Sequence, residues 1–471
     1  MPLGFMLVPM LRRAIFTLSI ASVLVLAGCS SGSAGRGTPT PPAGTPVPGP
    51  GAGTVPVYAP GWPAVHSDGA NSDYSPAPIA DIPEMRWRRS FDGPLKAGAL
   101  EWTINLGATV SDAGQLYLTT TVPGCHLQAI DTSTGDTAWC STEVNFQAVI
   151  SSPLIDTEGR LYLADGAAMR SFMPDGSVAW TTPIVGVPLS AQFTPAGNLF
   201  FITHVGIAYI LDRASGAPVM APLALVPGAT WDGTTGLSAC AQGLPGCPSA
   251  NTPAIDARNG RVFFTFWEPG EEQAAVRAMR IVEDGAEVTL LPLWENSSLP
   301  GGSASSPTLS ADGSRVYVTD NVDSVHALDA ETGESIWKFA FGARAGGSVS
   351  ISPDGVIMAA GGDLQAIRDA GDHAELLWKW EGVANRGIAT QAAGDRAVAT
   401  VAAGGRDADP ASRYRNDLVV VDTRTGAELS RFPIEGATVF SVGITIGPDG
   451  SIYVPFIQGD FLAFGPAGPG R

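Results

Sequence analysis

Past residue 60 the chain alternates apolar and polar positions in short runs, each closed by a glycine-bearing turn. That period of two is the pattern of half-buried β-strands, and long apolar stripes at helical spacing are missing. Two kinds of turn recur. The first reads "DAGQLY" (112–117), "TEGRLY" (157–162), "PAGNLF" (195–200), "RNGRVF" (258–263), "DGSRVY" (312–317), "DGVIM" (354–358), "GDRAVA" (394–399) and "DGSIYV" (449–454). Asp-Gly and Asn-Gly tolerate the positive φ angles that tight hairpins require. The second reads "DTSTGDTAWC" (131–140) and "DAETGESIWKF" (329–339), and "DTRTGAELSRF" (422–432) has it with leucine in the tryptophan's place. Weaker copies are "MPDGSVAW" (173–180) and "DRASGAPV" (212–219).

A strand, a Gly turn, a strand, a loop, a strand, a Thr-Gly turn and a strand with tryptophan fill about forty residues. That is one four-stranded antiparallel propeller blade. Eight units begin near residues 104, 148, 188, 251, 303, 347, 388 and 439, which predicts an all-β, eight-bladed β-propeller over 61–468. In each Thr-Gly turn the aspartate is expected to accept backbone hydrogen bonds and the glycine to supply positive φ, as Asp329 and Gly333 would do. Trp337 is expected to pack its outer strand against the next blade. The last unit, ending "DFLAFGPAGPGR", has no fourth strand of its own. "PEMRWRRSF" (83–91), with Trp87 in the repeated position, is the expected N-terminal closing strand, and closure removes the exposed sheet edges.

The N-terminal sixty residues read differently. Arg12 and Arg13 precede an apolar run, "AIFTLSIASVLVLAG", too short to span a bilayer comfortably. "LAGC" (26–29) resembles the lipobox of bacterial lipoproteins, which implies a signal peptide over 1–28 and lipidation of Cys29. Residues 29–60 are nearly all Gly, Pro, Ser, Thr and Ala and predict a disordered tether with a reach on the order of 30 Å. The expected location is therefore a bacterial membrane surface facing the periplasm or exterior, with the membrane engaged only through the lipid.

Four cysteines follow Cys29, an even number that suits an oxidising compartment. Cys125 and Cys140 flank a hairpin and Cys240 and Cys247 flank a short Gly/Pro loop, so the local pairs are expected, and ligand spacing for zinc is absent. The net charge is −18 and no basic stripe is present, which excludes a nucleic-acid binder. No nucleophile elbow, P-loop or His-Glu-x-x-His is present, and His126, His204 and His326 sit in or beside blade strands, as structural histidines do. "SDGANSD" (67–73) offers Asp68, Asn71 and Asp73 to a cation but lacks the acid that completes a calcium loop.

The runs "A-[IL]-D-x-x-[ST]-G-x-x-x-W" at Ala129–Trp139 and Ala327–Trp337 resemble the pyrroloquinoline-quinone (PQQ)-repeat propeller superfamily, and "GWPAVHSDGANSDYSP" (61–76) is similar to its lead-in segment. Quinoprotein dehydrogenases of that superfamily hold PQQ and calcium over the central channel. Lipid-anchored propellers of the BamB type, from outer-membrane β-barrel assembly, bind proteins and carry no cofactor. The lipobox, tether and eight blades favour the second branch: a monomeric, protein-binding envelope scaffold without catalytic or metal residues. The alternatives are a quinoprotein-like oxidoreductase and a solute or glycan sensor.

Three insertions, 222–251, 266–280 and 402–417, are expected on one face, because interblade links and second-to-third-strand loops share a face. Long loops on a rigid scaffold commonly carry binding. Trp231 and Trp267 are the expected aromatic anchors there, with Glu268, Glu271, Glu272, Arg406 and Arg413 as a polar rim. The other reading of Trp231 is a pin that holds the long loop to the propeller.

Overall fold

The computed structural model describes Gly53 and residues 55–466, apart from 92–95, 98–99, 102, 105–106, 235, 246, 250, 286, 346, 403–414, 437–439 and 442. Cys29, the expected leader, Arg406 and Arg413 lie outside the described residues.

Eight antiparallel sheets follow one another along the chain. Their first strands are Thr109–Ser111, Leu154–Ile155, Gln192–Phe193, Ala254–Asp256, Thr308–Leu309, Val349–Ile351, Thr390–Ala393 and Thr445–Ile446. These short strands touch their neighbours around the central axis, and the eighth meets the first. The outer strands of blades 1 to 7 are Thr137–Ser141, Val178–Pro183, Leu223–Ala224, Glu287–Leu299, Ser335–Ala340, Ala374–Ala384 and Glu428–Pro433. Blade 8 takes its outer strand from the other end of the chain: Glu84–Ser90 pairs antiparallel with Asp460–Gly465 and sets Trp87 opposite Ala463. The ring closes as the repeat requires.

The repeat motif has a geometric cause. Trp139 lies opposite Ala129, Trp294 opposite Ala278, Trp337 opposite Ala327 and Trp378 opposite Ala366, so the small third-strand residue makes room for an indole. Each indole then reaches the Thr-Gly turn of the next blade. Trp87 Nε1–H donates to Thr132 O at 2.9 Å, Trp139 to Pro174 O at 3.0 Å, Trp180 to Arg213 O at 3.1 Å and Trp378 to Thr423 O at 2.7 Å. The indole lies flat on the turn glycine. A Cβ on Gly135 would stand 2.7 Å from the Trp87 ring, and one on Gly333 would stand 2.5 Å from the Trp294 ring. Those glycines are fixed twice, by φ angles of 78° and 75° and by the neighbouring ring.

The turn aspartates act as expected: Asp329 Oδ1 accepts from the N–H groups of Glu331 and Thr332, both at 2.9 Å. Blade 7 differs from the sequence reading. Val420 faces Ser430 there, so serine stands at the tryptophan position and Leu429 falls one residue short of it. Phe432 fills the seam instead, edge-on to Phe464 at 5.1 Å.

Packing begins before residue 61. Val55 is buried, Thr157 N donates to Val57 O and Ala59 N to Ile155 O, so six residues assigned to the tether already lie against blade 2. From there the chain crosses the channel and bonds to blade after blade. Gly61–Trp62 pairs with blade 1 and Tyr74–Pro78 runs parallel to the inner strand of blade 7. Between them Ile155 N donates to Pro63 O, Ile255 N to Gly69 O, Leu309 N to Ala70 O and Ile351 N to Ser72 O. Tyr58 serves blade 3, its hydroxyl donating to Gln192 Oε1 at 2.7 Å and accepting from Phe193 N at 3.2 Å. The lead-in segment is thus a plug that satisfies inner-strand backbone groups which a bare channel would leave to water.

Candidate functional site

The plug stops the channel at the end where the tight turns lie. Above it a cavity of about 380 Å³ remains, with Val65 and His66 of the plug among its lining. Its walls come from residues just ahead of the inner strands, among them Ile150, Ser152, Leu189, Thr252, Ser306 and Ser348, and its mouth opens on the face carrying the loops between blades. Repeated hydroxyls tie these walls together. Ser152 N donates to Ser190 Oγ, Thr252 N to Ser306 Oγ and Ser306 N to Ser348 Oγ, at 2.9 to 3.2 Å.

The 222–251 insertion reaches the mouth through Ala241 and Gln242. It is held at several points. A disulfide joins Cys240 to Cys247 with a Cα–Cα distance of 4.9 Å, and a second joins Cys125 to Cys140 at 5.4 Å, both as expected. Asn321 Nδ2 donates to the carbonyls of Gln242 and Gly243, and Arg344 Nη2 donates to Gln242 O at 2.9 Å. Trp231 meets His204 edge-on at 5.0 Å and packs with Val149, Ile150, Val187 and Leu237. That is the pin, not an outward anchor.

Trp267 is likewise turned inward. It is 8% exposed, packs in the core between blades 4 and 5, and donates Nε1–H to Glu271 O at 3.0 Å. Glu268 is paired with Arg277 at 2.7 Å, whereas Glu271 and Glu272 face solvent. Glu271 and Glu272 are thus exposed, whereas both tryptophans are internal supports.

The "SDGANSD" oxygens are engaged inside the plug. Asp68 accepts from Ala70 N, Ser72 N and Ser72 Oγ. Asn71 donates to Thr252 O and Pro307 O and accepts from Gln192 Nε2. Asp73 Oδ2 lies 2.8 Å from His66 Nδ1. Burial raises both carboxyls above their usual range, and their partners offset this only in part. No described cluster of three or more His, Cys, Asp or Glu side chains is placed to hold a metal ion. The described lining of the cavity contains no carboxylate, and Arg344 is its one guanidinium. To a cation these residues offer hydroxyl and amide oxygens and no carboxylate.

Fold and site together define a closed PQQ-type propeller with a self-plugged channel. The profile of the family described as outer membrane protein assembly factor BamB matches residues 253–455. Protein Rv3035 of Mycobacterium tuberculosis (strain ATCC 25618 / H37Rv) is 33% identical over 414 residues, covering 87% of this chain and 96% of that one. The chain belongs to the same family as that protein, and its residues 253–455 carry the BamB-type repeat.

Among solved structures it is similar to BamB from Moraxella catarrhalis, with a TM-score of 0.51 and 16% identity over 82% of this chain and 100% of that one. It is also similar to the quinohemoprotein alcohol dehydrogenase of Comamonas testosteroni, with a TM-score of 0.59 and 13% identity over 88% and 82%. A europium-containing methanol dehydrogenase gives a TM-score of 0.56 and 12% identity over 87% and 98%. At these identities the likeness is one of fold alone.

Proposed function

We propose that the protein is a lipid-anchored, extracytoplasmic scaffold whose loop-bearing face holds another protein of the cell envelope. The observation that carries this reading is the fixing of the 222–251 insertion by a disulfide, by Trp231 and by the bonds from Asn321 and Arg344. A long loop already held in one conformation loses little entropy when a partner docks on it. Glu271 and Glu272 beside it give the face an exposed acidic rim. The match of residues 253–455 to the BamB profile supports a protein-binding role, and the two disulfides support an oxidising compartment. The lipobox at Cys29 supports a membrane anchor.

The test is photo-crosslinking from position 273, where the exposed Gln273 adjoins Glu271 and Glu272, in the native envelope, followed by mass spectrometry. One envelope protein should be captured, and Glu271→Arg with Glu272→Arg should lower its capture at least about tenfold, since arginines facing a surface complementary to an acidic rim set like charges together. Capture of that protein at the parental level by the reversed variant would place the working surface elsewhere.

A further inference from the structure

One group at the cavity floor is not demanded by the repeat. His66 Nε2 lies 3.0 Å from Ser306 Oγ, and His66 Nδ1 lies 2.8 Å from Asp73 Oδ2. The order carboxylate, imidazole, hydroxyl is complete, and the three residues come from the plug and blade 5. Ser306 is 4% exposed and His66 7%, and both line the cavity, whereas Asp73 is sealed at 1%. Ser306 Oγ already accepts Thr252 N–H at 3.2 Å. Its own proton is therefore directed to His66 Nε2, and the matching tautomer donates Nδ1–H to Asp73.

We propose that Ser306, His66 and Asp73 form an acyl-transfer centre that accepts esters with a short apolar acyl chain. This goes beyond the scaffold reading and does not depend on it. Ser306 Oγ adds to the acyl carbonyl carbon while its proton passes to His66 Nε2. The bond to the leaving alcohol oxygen breaks, and that oxygen takes the proton from Nε2. Water then adds to the acyl-serine, its proton passing to Nε2. Ser306 Oγ departs with that proton, and a carboxylic acid is released. Asp73 keeps the imidazole oriented and balances the charge it gains. Val65, Ile150, Leu189, Ile388 and Phe440 give the cavity an apolar lining suited to the acyl chain.

Two observations separate this from a simple tether. The neighbouring wall hydroxyls are engaged by backbone groups: Ser152 Oγ donates to Gly107 O, and Ser348 Oγ accepts Ser306 N–H. Moreover, Ser67, Asn71 and Asp73 hold positive φ angles of 69°, 58° and 47°, three of the four such non-glycine residues among those described. Backbone strain gathered around one histidine–carboxylate pair is characteristic of functional sites.

The test treats the purified full-length protein with a short-chain alkyl fluorophosphonate, followed by intact mass and peptide mapping. One adduct on Ser306 is expected, absent after heat denaturation and absent in Ser306→Ala. His66→Asn should slow labelling at least about 100-fold, whereas Ser177→Ala, which removes an exposed turn hydroxyl outside the cavity, should label normally. Hydrolysis of p-nitrophenyl butyrate should fall to background in the same two triad variants. Parental protein with no Ser306 adduct, under conditions that fully label a serine esterase, would overturn the proposal whatever the variants do. So would equal labelling rates with and without His66. Either result leaves the partner-capture experiment unaffected.

Discussion

Gly333→Ala and Gly355→Ala form a pair that isolates the contact on which the blade repeat rests. Both glycines have positive φ, 75° and 83°, so alanine at either position carries the left-handed penalty of about 1 kcal/mol. At Gly355 nothing lies within 4 Å of the new methyl group, and the penalty should end there. At Gly333 the methyl would stand 2.5 Å from two atoms of the Trp294 ring, and the indole must retreat. Retreat breaks its hydrogen bond to Ala330 O, worth about 1 kcal/mol. It also forfeits part of the packing whose full loss on truncation is about 3–5 kcal/mol. Gly333→Ala should therefore cost about 3–4 kcal/mol, measured by urea unfolding followed in the near-ultraviolet circular dichroism. In a Trp294→Ala background the same glycine change should cost only about 1 kcal/mol. Equal costs for the two glycines, or no coupling to Trp294, would refute this account of the motif.

Trp87→Ala removes the indole that seals blade 8 to blade 1 and should cost about 3–5 kcal/mol; an unchanged urea midpoint would show that closure rests elsewhere. For Asp320, burial opposes ionisation but is outweighed by bonds from His326, the N–H groups of Ser324 and Asp323, and Lys338, which hold its pKa at about 2. Its contribution of about 2 kcal/mol is full above the ordinary value of 3.8 and is lost as pH falls through about 2, so Asp320→Asn should flatten acid unfolding in that window. Cys29→Ser should abolish lipidation and shift the protein out of the detergent phase, and unchanged partitioning and mass would remove the lipobox reading.

The ring was readable because its determinants are local and repeated. Asp131, Gly135 and Trp139 recur in their equivalents because every junction solves the same packing problem. Even Trp87, hundreds of residues from its sheet partner Ala463, was recognisable by its position in the motif. The plug was not, because residues 55–78 meet each blade through different residues and repeat nothing. Asp68, Asn71 and Asp73 stood out only as oxygens of an incomplete cation loop, since residue type and spacing do not reveal that Ser72, Thr252 and His66 take up their polar atoms. The placement of Trp267 was hidden for a related reason. A loop tryptophan reads as an anchor until the fold shows it turned into the seam between two blades.

The plug also fixes an order of assembly. Residues 55–78 leave the ribosome before any blade, yet their partners extend to Gln391, and the next strand must wait for Asp460–Gly465. Pairing across such separations is slow, because most of the chain must be closed into loops before any contact forms. Until blade 8 is made, the earliest segment has no complete binding site and the ring no stopper. A chain ended before Asp460 therefore lacks its closing seam and leaves Trp87 with no sheet to join, so synthesis must be finished before the protein can be stable at all.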